Sequence, residues 1–191
     1  MRTAVALALV TLVGQNTPAI FECDIWPGEG FPRLRAVGPL ELYASPTRDS
    51  CQSQLTVPAS QDLVFDRVIT RTTSVAPVTV LQATSMSGLR FGAVARVARE
   101  DYYGGKISRG HVNVSPQSRI EYLQYRAEGE CFVRVDGVVW AVEDCPTRYK
   151  DTYAVAGEPV VELWARIIHQ GRAAGWVLVD DKRVRVVGRT F

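Results

Sequence analysis

Apolar and polar residues alternate along much of the second half of the chain, with the period of two that is typical of β-strands. The clearest example is residues 162–180, ELWARIIHQGRAAGWVLVD, where an apolar run containing one arginine is followed by a turn and a second apolar run. The same order occurs upstream at residues 130–144, ECFVRVDGVVWAVED. Each stretch therefore predicts a two-strand unit of a small β-barrel.

The Asp136-Gly137 dipeptide predicts the register of the upstream unit. Asp-Gly between two apolar runs favours a type I′ turn, because both central residues of that turn need positive φ. The two-residue loop places Val135 opposite Val138, and one face of the hairpin becomes almost entirely apolar. This predicted core face carries Cys131, Val133, Val135, Val138, Trp140 and Val142, and the other face carries Phe132, Arg134, Val139 and Ala141.

The two units also align with each other. Residues 132–135 correspond to 164–167, and Val139-Trp140 corresponds to Gly175-Trp176. The second unit has a longer predicted turn, at residues 169–174. Few aligned positions are identical, so the pattern indicates a repeated structure more than a repeated sequence.

The first half of the chain alternates less regularly. Residues 40–43 predict a strand that ends before Pro46, and 75–81 predict another. Residues 89–97 also predict a strand, with a helix as the alternative because alanine and arginine favour helices. A Tyr-Tyr-Gly-Gly segment follows, so we predict a module boundary near 104–110. The predicted division is a signal peptide at 1–19, an N-terminal β module at 20–110 with an irregular start, and a C-terminal β module at 111–191.

The first nineteen residues have the pattern of a secretory signal peptide. Arg2 supplies the positive charge, residues 4–13 are apolar but too short to span a bilayer, and small residues precede a cleavage site after Ala19. The alternative is a buried N-terminal strand or helix of a cytosolic protein. No later segment approaches the roughly 18 apolar residues of a transmembrane helix. The prediction is an exported protein, periplasmic or extracellular, without a transmembrane segment.

The four cysteines indicate that disulfide bonds stabilise the protein. An even number of cysteines in an exported chain predicts two disulfides, and three pairings are possible. We favour Cys23–Cys51 and Cys131–Cys145, because each joins neighbours within one module. The spacings contain no CxxC pair, which argues against redox chemistry and against a zinc site.

Four short motifs carry a family resemblance. Residues 40–46 and 112–116 each combine a strand with a following proline, and residues 164–167 with 175–177 combine an aromatic-x-Arg strand with a Gly-Trp-Val strand. Residues 132–135, with the Asp-Gly turn and Trp140, match the second pattern in part. These motifs resemble the opening and closing motifs of bacterial SH3-like (SH3b) domains. The resemblance implies two small SH3-like β-barrels in tandem, little helix, and a binding role in the bacterial cell envelope.

Candidate catalytic groups are few. His111 precedes a strand and His169 lies in a predicted turn, where exposed histidines are ordinary. Adjacent acidic residues such as Glu143-Asp144 point to opposite faces of a strand, so they do not form a carboxylate dyad. The chain has no phosphate-binding loop, GxSxG, HExxH or CxxC motif. We predict no catalytic residue, no metal site and no cofactor, and therefore that the protein is not an enzyme.

Aromatic and basic side chains are the better candidates for contacts. The predicted binding residues are Tyr149, Tyr153, Trp164, His169 and Arg172, and Tyr102 and Tyr103 are further aromatic candidates. Trp140 and Trp176 are predicted to be core, and Trp26 is predicted to pack on the first module. The basic residues of the C-terminal part are Arg166, Arg172, Lys182, Arg183, Arg185 and Arg189. They form either a solvated face or a surface for an anionic cell-wall polymer.

These observations favour an exported, non-catalytic binding module of the bacterial envelope that recognises a protein or a cell-wall ligand. The net charge of +2 gives no indication of nucleic-acid binding. The alternative is an exported inhibitor of a hydrolase, a muramidase or protease, in which residues 146–157 would be the disulfide-pinned inhibitory loop. The sequence leaves the ligand and the oligomeric state open.

Overall fold

The structure is a computed structural model that describes residues 20–28, 31–58, 60–105, 107–180 and 182–190. The predicted signal peptide, 1–19, lies outside the described residues. Within the described ranges the protein is mainly β, with one short α-helix and two turns of 3₁₀ helix. The prediction of a mainly β protein with little helix is therefore confirmed.

The strands, in chain order, are β1 (Phe21–Cys23), β2 (Phe31–Ala36), β3 (Leu40–Tyr43), β4 (Cys51–Leu55), β5 (Asp62–Ser74), β6 (Ala76–Val80), β7 (Thr84–Gly92), β8 (Arg96–Val97), β9 (Arg109–Val114), β10 (Ile120–Tyr125), β11 (Cys131–Val135), β12 (Val138–Val142), β13 (Tyr153–Val155), β14 (Val160–His169), β15 (Arg172–Leu178) and β16 (Val184–Thr190). The helix α1 is Arg99–Tyr103, and the 3₁₀ turns are Arg48–Ser50 and Pro146–Arg148.

The strands form two sheets with the same internal order. Sheet 1 runs β16-β2-β5-β14-β15-β3-β4, with β1 paired to β5 and β8 paired to β1. Sheet 2 runs β13-β6-β10-β11-β12-β7-β9. Each path contains seven strands, which can be numbered by their order in the chain. In both sheets the spatial order is then seventh, first, fourth, fifth, sixth, second, third. The repeat predicted from two hairpins therefore extends to the strand order of whole sheets.

Apart from the short β8, the chain leaves sheet 1 once and later returns to it. β5 ends at Ser74 and β6 begins at Ala76, so one nearly continuous segment passes from sheet 1 into sheet 2. The chain comes back between β13 and β14. All strands of sheet 2 therefore lie between the fourth and fifth path strands of sheet 1. Each sheet combines strands from both sides of the predicted boundary near residue 110, because their pairing partners are distant in the chain.

The hairpin of β11 and β12 has the predicted register. Val135 pairs with Val138, and Asp136 and Gly137 have φ values of 47° and 85°. Trp140 belongs to the main core of sheet 2, as predicted. The opposite face is buried as well, because β1, β8 and the segment before α1 pack against Phe132, Val139 and Ala141. The expectation of a single core face was therefore incomplete.

The hairpin of β14 and β15 differs from its prediction. The strands continue to His169 and resume at Arg172, and the turn is Gln170-Gly171, with φ values of 50° and 75°. The predicted long turn at 169–174 is thus a tight two-residue turn followed by a register shift. Trp176 pairs with Arg166, whereas Trp140 pairs with Val133. The two tryptophans are consequently one position apart in the structural repeat.

Sheet 1 has two hydrophobic clusters. The larger cluster includes Leu34, Leu40, Ala165 and Val177 and is packed by Trp26, as predicted. The smaller cluster consists of Tyr43, Ile69, Trp164, Trp176 and Leu178, in which Tyr43 and Trp164 meet edge to face with ring centroids 5.1 Å apart. Trp176 is therefore buried as expected, although in the smaller of the two clusters.

One of the two predicted disulfides is present. Cys131 and Cys145 are bonded, with their Cα atoms 5.5 Å apart. Cys23 is a buried free thiol, so the predicted Cys23–Cys51 bond is not formed. The strand order explains this, since the path from β1 to β4 crosses β5, β14, β15 and β3, roughly 24 Å along the sheet. A disulfide needs Cα atoms within about 7 Å. The side chain of Cys51 lies outside the described residues.

A buried polar network joins the two sheets. Thr72 of β5 donates through Oγ1 to the carbonyl oxygen of Leu123 at 3.1 Å and lies 3.2 Å from Oε1 of Gln124. Nε2 of Gln124 donates to Oγ1 of Thr70 at 2.8 Å, and that hydroxyl donates to the carbonyl oxygen of Cys23 at 3.1 Å. β10 shifts its register on β11 between Tyr122 and Gln124, next to this network.

We expect the replacement of Thr72 by valine to lower the free energy of unfolding by about 1–3 kcal/mol, because buried acceptors lose their donor while the side-chain volume is kept. Thr73→Val is the control, since its partly exposed hydroxyl donates only to the carbonyl of Val160. Urea denaturation of both variants measures the difference. The substitution Gln124→Leu should cost less in the Thr72→Val background than alone, and strict additivity would contradict the network.

We expect the Cys131→Ala/Cys145→Ala variant to be less stable than the wild type by about 3 kcal/mol, because the bond closes a loop of 14 residues in the unfolded chain. Urea denaturation with and without reductant provides the measurement and its control. Reductant should lower the stability of the wild type to that of the variant and leave the variant unchanged. A wild type that is insensitive to reductant under denaturing conditions would argue against the bond.

Candidate functional site

A groove lies between the segment after β1, the middle of β5 with β14, and α1. Its volume is about 750 Å³, which is within the range of ligand-binding clefts. The residues that shape it come from four distant parts of the chain. They include Asp24, Trp26, Phe65, Asp66, Arg67, Tyr103 and Arg166.

A bulge in β5 positions the wall of this groove that belongs to sheet 1. Arg166 of β14 pairs with Arg67, and the next residue, Ile167, pairs with Phe65, so Asp66 is an extra residue in the ladder. The guanidinium of Arg166 donates to both carboxylate oxygens of Asp66, from Nε at 2.8 Å and from Nη2 at 2.7 Å. These hydrogen bonds hold the pKa of Asp66 below its usual range. The bulge therefore presents an oriented, two-bond ion pair at the groove.

Asp24 is the most deeply placed charged residue of the groove, with 8% of its surface exposed. Arg67 and Arg96 both donate to its Oδ2 atom, each at 2.6 Å. Its other oxygen, Oδ1, is buried and has no hydrogen-bond partner among the described residues, and the same holds for Nε1 of Trp26. Such orphan atoms are uncommon in folded proteins, because each forfeits the hydration that it would have in water.

The helix α1 closes the groove on the side of sheet 2. Arg126 anchors it, with its guanidinium carbon 4.3 Å from the ring centroid of Tyr102 and its Nη2 donating to the hydroxyl of Tyr103 at 3.1 Å. Tyr102 donates to Glu130 at 2.8 Å, and burial together with this bond raises the pKa of Tyr102. Tyr103 is 58% exposed, so its ring is available to a ligand.

The chemical character of the groove is amphipathic. Aromatic rings from Trp26, Phe65 and Tyr103 stand beside ion pairs from β5 and β14. Aromatic walls supply contact area, and the oriented charges supply directional hydrogen bonds. The described residues contain no group of three or more His, Cys, Asp or Glu side chains that could hold a metal ion.

No family model, curated protein or solved structure matches this chain. The arrangement of its own residues therefore carries the functional argument.

The predicted binding residues lie outside the groove and are dispersed. Trp164 is completely buried, with Nε1 donating to Glu162 at 3.1 Å, and Tyr153 is buried in the core of sheet 2. Neither of these two rings is available for ligand contact. Tyr149 is exposed, and its hydroxyl donates to Asp144 at 2.6 Å. His169 and Arg172 are brought together as the last pair before the β14–β15 turn.

The segment 146–157 is folded against sheet 2. The 3₁₀ turn Pro146–Arg148 follows the disulfide at Cys145, and β13 pairs with β6. Residues 147–151 are exposed between these two attachments. This exposed part is the portion of the predicted inhibitory loop that a partner can reach.

The two histidines are far apart in the fold. His111 lies in β9 opposite Ser87 and lines a depression of about 300 Å³ beside the ion pair of Arg109 and Glu143. His169 is at the tip of the β14–β15 hairpin.

No helix among the described residues has the length and apolar character needed to cross a membrane.

The main groove residues were not predicted as a site. Trp26 gave a signal, as an apolar aromatic residue in a segment rich in proline and glycine, and Tyr103 was one of the aromatic candidates. No pattern in the sequence indicated Asp24 or Asp66, because their ion-pair partners are distant in the chain. The separation is 43 residues for Asp24 and Arg67 and 100 residues for Asp66 and Arg166.

Cys23, next to Asp24, provides a test of burial. Burial raises the pKa of its thiol from 9.0 to about 12. The folded protein therefore retains a proton that the unfolded chain loses, so this contribution to stability is complete below pH 9.0 and falls as the pH rises toward about 12. We expect Cys23→Ala to show a shallower loss of stability over this pH range, measured by urea denaturation.

A thiol reagent should modify Cys23 in a Cys51→Ser background only after unfolding. Rapid modification of the native protein would contradict the burial of Cys23.

Proposed function

We propose that the protein is an exported, non-catalytic binding protein of the bacterial envelope, and that the groove beside Asp24 receives a segment of a protein or of a cell-wall ligand. The observation that carries this proposal is the combination, in one cleft, of three aromatic side chains with fixed ion pairs. The export component rests on the pattern of residues 1–19 and is compatible with the Cys131–Cys145 disulfide.

We also propose that the two sheets are two SH3-like units, with the second inserted into the first. The repeated strand order supports this proposal. The closing motifs occupy equivalent strands, β11–β12 in one sheet and β14–β15 in the other. The opening motifs do not, since residues 40–46 begin in β3 and residues 112–116 begin in β9, the second and third path strands of their sheets. The proposal therefore rests on the strand order and the closing motifs.

The polar atoms of the groove favour a ligand that carries both a donor and an acceptor. Oδ1 of Asp24 is an acceptor without a donor, and Nε1 of Trp26 is a donor without an acceptor. Amides and hydroxyls, the common polar groups of peptides and glycans, supply both functions. Both protein atoms are shielded from solvent, so a ligand reaches them only after neighbouring side chains have moved aside.

A second candidate function is inhibition of a hydrolase by residues 147–151. The observation that favours it is the attachment of this exposed segment at both ends, by the disulfide at Cys145 and by the buried Tyr153. A segment held in one conformation loses little entropy when it enters an active site. Inhibition assays against muramidases and proteases, with the segment replaced by glycine and serine in a matched variant, separate this function from groove binding.

We expect Tyr103→Ser to reduce the retention of a ligand from cell-wall material or envelope extract by about ten-fold, because aromatic anchors dominate binding energy at such surfaces. Tyr125→Ser is the matched control, since Tyr125 is 49% exposed and lies outside the groove. Immobilised wild type and variants are compared after thermal denaturation has verified that both variants are folded.

A wild-type protein that retains nothing from either material would count against the proposed function. Equal loss of retention in the Tyr103 and Tyr125 variants would place the binding surface elsewhere on the molecule.

A further inference from the structure

Three arginines project from one face of sheet 1, away from the groove. In β2, buried Leu34 and Ala36 alternate with the more exposed Arg33 and Arg35, so the two arginines share the outward face. Arg185 of the neighbouring edge strand β16 is exposed and pairs with Arg35. We call Arg33, Arg35 and Arg185 the arginine face.

The pairing of Arg35 with Arg185 brings two positive charges together. Residues directly opposite each other on antiparallel strands have Cβ atoms about 5 Å apart, and like charges in such positions are unfavourable. A strand pair that serves only as a solvated edge gains nothing from this arrangement. An anion placed between the two guanidinium groups reverses the sign of the interaction.

One carboxylate pairs with two of the three arginines. Asp62 of β5 accepts hydrogen bonds from both Arg33 and Arg35, the latter at 2.8 Å from Nε, and these bonds hold the pKa of Asp62 below its usual range. Arg185 has no ion-pair partner among the described residues. The arginine face therefore keeps an uncompensated positive charge, even though the net charge of the whole chain is only +2.

We infer that the arginine face binds a polymer that carries repeated phosphate groups. The planar guanidinium matches two oxygens of a phosphate group, which a lysine ammonium does not. Neighbouring positions on adjacent strands lie about 4.8 Å apart, and alternate residues along one strand lie about 6.7 Å apart. Three cations at these spacings engage successive phosphates of one chain. A lipid surface fits less well, because Val64 is the exposed aliphatic side chain that accompanies Asp62 on this face of β5, and insertion into lipid needs a broader apolar surface.

The test uses linear inorganic polyphosphate as the probe, at low ionic strength, with affinity measured by titration calorimetry. We expect Arg35→Gln and Arg185→Gln each to weaken binding by roughly five-fold, since each removes one charge-assisted contact at an exposed position. We expect Asp62→Asn to strengthen binding by about two-fold or more, because it releases Arg33 and Arg35 from their internal acceptor. This gain combines the release of the two arginines with the added net charge, so a control elsewhere on the surface must measure the net-charge part.

Arg119→Gln is the matched control. Its side chain is 82% exposed and pairs with Glu121 in sheet 2, so it changes the net charge without touching the arginine face. We expect this control to leave polyphosphate affinity unchanged. Equal weakening by Arg119→Gln and Arg185→Gln would overturn the inference, because it would mean that net charge alone is being measured. Weaker binding by Asp62→Asn would also overturn it, because it would mean that Asp62 supports the binding surface instead of competing with the ligand for Arg33 and Arg35.

Two further probes identify the chemistry. Polyglutamate that binds as tightly as polyphosphate would overturn the assignment to phosphate, and anionic phospholipid vesicles that bind when polyphosphate does not would assign the face to a membrane surface instead. The inference is independent of the groove. Tyr103→Ser should leave polyphosphate affinity unchanged, and a failure of the groove to retain a ligand leaves this inference standing.

Discussion

The need to satisfy buried polar groups at the contact between the two sheets constrains the rest of the structure. Thr70 and Thr72 point from β5 into a buried region, and Gln124 and the backbone of β10 supply their partners. An apolar contact would tolerate sliding, whereas a network of this kind is satisfied in one arrangement only. The hydrogen bond from Thr70 to the carbonyl oxygen of Cys23 fixes the end of β1, and so the start of the segment that brings Asp24 and Trp26 to the groove.

Local chemistry could be predicted from the sequence with accuracy. The Asp136-Gly137 turn needs only its two residues and the flanking valines, and its register was correct. The length of the β14–β15 turn was predicted wrongly because Gln170 adopts positive φ, a conformation that is uncommon for residues other than glycine. The one-position offset between Trp140 and Trp176 arises from a register shift, and a comparison of sequences cannot detect it when few residues are identical.

The groove could not be predicted, for a different physical reason. Asp24, Asp66 and Arg166 meet only because β5 pairs with β1 and β14, strands at opposite ends of the chain. Alternation in the sequence specifies which face of a strand is buried and leaves its neighbour unspecified. The same limit explains the disulfides. Cys131 and Cys145 flank one hairpin and were paired correctly, whereas the position of Cys23 relative to Cys51 depends on the order of six strands.

The insertion of one sheet within the path of the other has a consequence for biosynthesis. The strands of sheet 2 are contiguous from Ala76 to Val155 apart from the short β8, so most of that sheet can assemble as soon as this stretch has emerged. Sheet 1 must wait for β14, β15 and β16 at the end of the chain, while β2 to β5 remain without those partners. During synthesis, the unprotected intermediate is therefore the amino-terminal half of sheet 1, and its exposed strand edges are those that a chaperone would have to shield.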